Sequence, residues 1–87
     1  MTNDQIEKFV QQKAQEMVTV QISFKTRRAI MGIFIKTGDY AYLKSKNLWR
    51  IVGESSIEEY KKSKDVNLAR IFNGTEMTRL GLVTQRV

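Results

Sequence analysis

The stretch Val18-Thr19-Val20-Gln21-Ile22-Ser23-Phe24-Lys25 alternates apolar and polar residues from end to end. Period two places Val18, Val20, Ile22 and Phe24 on one side of an extended chain and the polar residues on the other. It predicts a strand with one buried face and one wet face. The next run, Ala29-Ile30-Met31-Gly32-Ile33-Phe34-Ile35-Lys36, is apolar on both sides. Such a strand is covered from both faces, and Gly32 inside it predicts a sharp bend. Thr26-Arg27-Arg28 joins the two as a short basic connection.

Upstream the period changes to 3.6. Ile6, Phe9, Val10, Ala14 and Met17 fall on one stripe, so residues 3–17 are predicted as an amphipathic helix. Thr2 and Gln5 have the spacing of a capping box. Downstream, Thr37-Gly38-Asp39 is a turn, and Tyr40-Ala41-Tyr42-Leu43-Lys44 reads as a third strand. Leu48-Trp49-Arg50-Ile51-Val52 is either its bent continuation or a separate strand. Residues 53–65 form a polar excursion with a helical turn near Ile57 to Lys62. Val66 to Phe72 and Thr75 to Leu80 are further strands, joined by Asn73-Gly74 as a tight turn of positive φ. Residues 81–87 read as a loose tail. The expected fold is mainly β: one helix, then a five-stranded, strongly bent antiparallel small barrel over residues 18–80. Closure of that kind limits open edges.

The 87 residues allow one small domain, and 41% hydrophobic with 28% charged residues is ordinary globular composition. Without Cys or His there is no disulfide, no usual zinc site and no imidazole-based catalysis. No catalytic spacing, P-loop, metal-ligand set or cofactor motif is present, and the chain is read as a non-enzyme. No apolar run reaches the roughly 20 residues of a membrane span. The start carries neither a basic region nor an apolar core of a secretory signal, so a cytoplasmic protein is expected.

Net charge is +6. Residues 1–24 hold two basic and three acidic residues, and residues 51–87 hold six and five. Residues 25–50 hold Lys25, Arg27, Arg28, Lys36, Lys44, Lys46 and Arg50 against Asp39 alone. A concentrated basic segment is the footprint of a polyanion partner or a solvated surface. As strand residues, Tyr40, Tyr42, Lys44 and Lys46 share one face, a set that serves packing or base stacking with phosphate contacts. Arg27 and Arg28 read as a solvated turn or a phosphate contact. Trp49 reads as core or subunit contact.

Helix, five strands and a glycine in the second strand resemble the Sm-like (Lsm, Hfq-type) family. Gly32-Ile33-Phe34-Ile35-Lys36-Thr37-Gly38-Asp39-Tyr40-Ala41-Tyr42-Leu43 is similar to its first motif, G-x-L-x-x-F-D-x-x-M-N-x-x-L, in Gly32 and Phe34, with Asp39 one place late. Phe72-Asn73-Gly74-Thr75-Glu76-Met77 is similar to its second, I-R-G-N-x-I, in Gly74 and the flanking apolar residues. The resemblance implies a homo-oligomeric ring in which an open edge pairs with the last strand of the next subunit, and binding of single-stranded RNA. It puts the base stacker at Tyr40. Tyr42, where the family has Asn, is expected as a second stacker, and Asn73, where it has Arg, is expected to read a base edge. An oligomeric scaffold that binds a protein partner without nucleic acid is the alternative these departures favour.

Overall fold

A computed structural model describes residues 1–13 and 18–83. The first helix, α1 (Asn3–Lys13), begins where Thr2 Oγ1 accepts from the Gln5 amide and Gln5 Oε1 accepts from the Thr2 amide, the expected capping box. Ile6 and Val10 are its buried stripe; Ala14 and Met17 lie outside the described residues. Strands β1 (Val20–Phe24) and β2 (Ile30–Phe34) follow, then β3 (Leu48–Gly53), β4 (Ala69–Asn73) and β5 (Met77–Leu82). They form one antiparallel sheet in the order β4-β3-β2-β1-β5. With α1, a short helix α2 (Tyr40–Ser45) and α3 (Ile57–Ser63), the architecture is mixed α and β.

The apolar pattern of β2 is used on both faces. Phe34 joins Ile6, Val10, Val20, Ile22, Trp49, Ile51 and Met77 in the core beneath α1. Ile33 and Ile35 join Val52, Ile57 and Tyr60 in a second cluster beneath α3. Gly32 pairs with Val20 on one side and Gly53 on the other. A Cβ there would stand 2.5 Å from the Val52 carbonyl oxygen, so only glycine permits this approach of β3. The register of β1 against β5 shifts between Ser23 and Phe24, a bulge that adds twist.

The sheet is not closed. Among the described residues β4 pairs only with β3, and β5 only with β1. β1 is an interior strand, but its end meets that of β4 through side chains, with the Phe24 and Phe72 rings 5.7 Å apart across the seam between them.

Four expectations are corrected. Tyr40 to Lys44 is not a strand: Tyr40–Ser45 is helical, with the Leu43 amide donating to the Asp39 carbonyl at 3.0 Å. Tyr40 and Leu43 turn inward at i, i+3 spacing, and Asn47 at φ 58° ends the turn and redirects the chain into β3, a strand of its own. Residues 66–68 are a 3-10 turn before β4, and Gly81 and Leu82 belong to β5 instead of a tail. Asn73-Gly74 is not a two-residue hairpin turn, because β4 and β5 diverge to opposite ends of the sheet order. Gly74 has no positive φ; it opens a 3-10 turn in which Asn73 Oδ1 accepts from the Thr75 amide at 2.9 Å. Gly74 is still a glycine for steric reasons: a Cβ would overlap Asn47 Oδ1 and Ile6 Cδ1.

Candidate nucleic-acid interface

Helix α2 and its C-terminal flank carry four of the predicted site residues, and helical geometry separates them. Tyr40 faces inward, its ring edge-on to Trp49 at 6.0 Å between centroids, with Lys36 Nζ 5.3 Å from its own centroid. Burial raises the Tyr40 phenol above its ordinary value, helped by the nearby Glu7 carboxylate. Its hydroxyl oxygen is buried without a hydrogen-bond partner among the described residues. Tyr42 faces outward, 63% exposed, with Lys46 Nζ 5.5 Å from its ring centroid. Lys44 is engaged by Glu7 at 2.5 Å, which raises its pKa. Thus Tyr40 is half-buried and packs against the core, while Tyr42 and Lys46 are exposed.

The first turn of α2 is held by Asp39. Its carboxylate accepts from Arg50 Nη2 at 2.7 Å and Nε at 3.3 Å, and from Thr37 Oγ1. The Arg50 hydrogen bond, then that of Thr37, lowers the Asp39 pKa to about 2. Arg50 and Lys44 are therefore neutralised in place. Among the described residues, Lys25, Arg27, Arg28, Lys36 and Lys46 of the basic segment have no carboxylate partner.

Arg27 caps the open seam. Its guanidinium carbon lies 5.3 Å from the Phe24 ring centroid and 5.6 Å from that of Phe72. Stacking of this kind contributes about 0.5–1 kcal/mol at an exposed site and leaves the N–H edge of the guanidinium free. Two grooves open beside this cluster. One, of about 530 Å³, includes Arg27, Ile51, Glu54, Arg70 and Phe72. The other, of about 220 Å³, includes Phe24, Arg27, Phe72, Asn73 and Glu76. The seam thus brings the predicted Arg27 and Asn73 to one cavity; the exposed Arg28 neighbours it in sequence. Phe24, Phe72 and Arg70 were not singled out by the sequence, and the only signal of the two rings was apolar spacing in two strands far apart in the chain.

No helix among the described residues is long and apolar enough to cross a membrane, and none of their acidic side chains cluster in threes to hold a metal. Comparison with protein-family models, with curated proteins and with solved structures finds no match to the chain.

Proposed function

We propose that the chain is an Sm-like, ring-forming cytoplasmic domain that binds single-stranded RNA without catalysis. The observation that carries the binding reading is the Arg27 guanidinium stacked on Phe24 and Phe72 at the mouth of two grooves, within the segment that supplies the excess positive charge. Aromatic rings interleaved with unpaired cations suit bases and phosphates together. Phosphate contacts fall to Arg27, Arg28 and Lys46, and stacking to Phe72 and Tyr42. The order β4-β3-β2-β1-β5 leaves one strand open at each edge, which supports head-to-tail pairing of β4 with the β5 of a neighbour into a closed ring and completion of a barrel-like wall. A ring multiplies a weak site by its number of subunits.

The scaffold reading has its own support: Ile71 on β4 and Leu82 on β5 are 48% and 49% exposed, an apolar residue on each open edge. The absorbance ratio at 260 and 280 nm of protein purified at low salt, with light scattering, tests both. Nucleic acid on an assembly several times 10.1 kDa is expected. An assembly that neither carries nor binds oligonucleotide leaves the scaffold, and a monomer overturns the ring.

A further inference from the structure

The two grooves at the seam share Arg27 and Phe72, so one ring and one guanidinium line both. Each groove is lined by one carboxylate, Glu54 in the larger and Glu76 in the smaller. Both glutamates are exposed, and neither is in an ion pair among the described residues. Arg70 stands on the wall of the larger groove, also without a carboxylate partner. A ring and a cation common to both grooves suit a divider between neighbouring bases.

Building on the reading of the chain as an RNA binder, we propose that the seam holds two consecutive nucleotides of a single strand, one base in each groove, the linking phosphate on Arg27, and that Glu54 and Glu76 select cytosine over uracil. The planar guanidinium of Arg27 stacks through its face and binds phosphate through its edge, so both contacts coexist. Arg70 takes the next phosphate beyond the larger groove. The two pyrimidines differ at position 4. Cytosine presents an amino group that donates to a carboxylate; uracil presents a carbonyl oxygen that a carboxylate repels. The smaller groove, about 220 Å³, favours a single-ring base. The carboxylates also keep the phosphates out of the grooves and thereby fix which side of the strand faces inward.

The test is fluorescence anisotropy with labelled oligo-C and oligo-U of equal length at one salt concentration. The proteins are the parent chain, Arg27→Gln, and the double variant Glu54→Gln with Glu76→Gln. All three positions are exposed, and circular dichroism and oligomer mass check that each variant keeps its fold. The parent is expected to prefer oligo-C by about 10-fold, the double variant to lose that preference, and Arg27→Gln to weaken both oligonucleotides by about 10-fold with the preference intact. Unlabelled CpC should displace oligo-C at least tenfold better than CMP does. Equal binding of the two oligonucleotides by the parent, or a uniform gain of affinity in the double variant, overturns base selection while leaving RNA binding standing. CMP competing as well as CpC overturns the two-nucleotide site. Failure of both oligonucleotides to bind overturns the RNA reading and this site with it.

Discussion

Gly74 sits directly against Asn47: its amide donates to the Asn47 carbonyl at 2.8 Å, and the Asn47 side chain occupies the space a Cβ would need. Asn47 itself is in the left-handed region, accepts from Trp49 Nε1 at 2.8 Å and ends α2. Gly74→Val therefore forces Asn47 and Ile6 apart and is expected to cost about 1–3 kcal/mol, the usual range for overpacking. Asn47→Ala is expected to cost about as much, by straining φ and leaving the indole N–H unpaired. Thermal melts followed by Trp49 fluorescence read both; melts equal to the parent's would remove this contact from the account of the fold.

Tyr40→Phe is expected to stabilise the protein. The change removes a buried hydroxyl with no partner among the described residues and keeps the ring against Trp49. An unsatisfied buried hydroxyl costs about 1–3 kcal/mol, so the melting temperature should rise. Oligonucleotide affinity should not change, because the substitution removes only a buried hydroxyl and keeps the ring. A loss of affinity would restore Tyr40 to the interface.

Asp39 gives the acid limb its shape. Its pKa is depressed from the usual carboxylate value to about 2 in the folded protein. A group depressed on folding stabilises the native state above its unfolded pKa of about 3.9 and loses that contribution as pH falls through the folded value. The parent should thus be more stable than Asp39→Asn at neutral pH, and the two denaturation midpoints should converge between about pH 4 and about pH 2. A gap that is constant over that interval would place the stabilisation elsewhere.

On the proposed RNA-binding reading, salt dependence should separate free cations from neutralised ones. Each phosphate contact on a single strand contributes about 0.7 to the logarithmic salt slope. Lys46→Ser and Arg28→Ser should each flatten the slope by about that amount. Lys44→Ser should leave it near the parent's, since Glu7 already engages that ammonium at 2.5 Å. Titrations at several salt concentrations decide it, and equal slopes for all three variants would contradict the assignment.

A charge on either open edge should break the proposed ring. Lysine on an edge strand opposes strand addition, so Ile71→Lys and Leu82→Lys should each give 10.1 kDa particles by light scattering. Retention of the parent mass in both would show that subunits meet elsewhere.

Legibility in the sequence followed the length and purity of each pattern. The strand over Val20–Phe24, the two-faced strand over Ile30–Phe34 and the Thr2/Gln5 cap were readable because five or more residues, or a defined spacing, agreed on one period. Tyr40–Ser45 was not, because six residues satisfy both periods: Tyr40 with Tyr42 as a strand, Tyr40 with Leu43 as a helix. Burial of Leu43 and the Asp39–Arg50 pair decide between them, and both are tertiary facts. Asn73-Gly74 misled for a related reason. The glycine answers a steric demand from Asn47 and Ile6, which no local turn rule contains. At the proposed interface, Arg27 and Asn73 were nameable as candidates by residue type, whereas the meeting of Phe24 and Phe72 is a tertiary fact.

The pairing of Val20 with Leu82 sets the order in which the molecule assembles. Strands β1 to β4 pair with their sequence neighbours, each closing a modest loop. Strand β5 must return across most of the chain to reach β1, and the entropy of closing that loop is met only when the contact forms. Non-local pairing of this kind is slow, so β5 is expected to dock last and to detach first in the native state. Its amides should exchange with deuterium through an opening that leaves those of β2 and β3 protected. Because Met77 and Leu80 leave the core with β5, that same opening bares an apolar strip. The nascent chain is then most prone to aggregate in the interval before its last strand arrives.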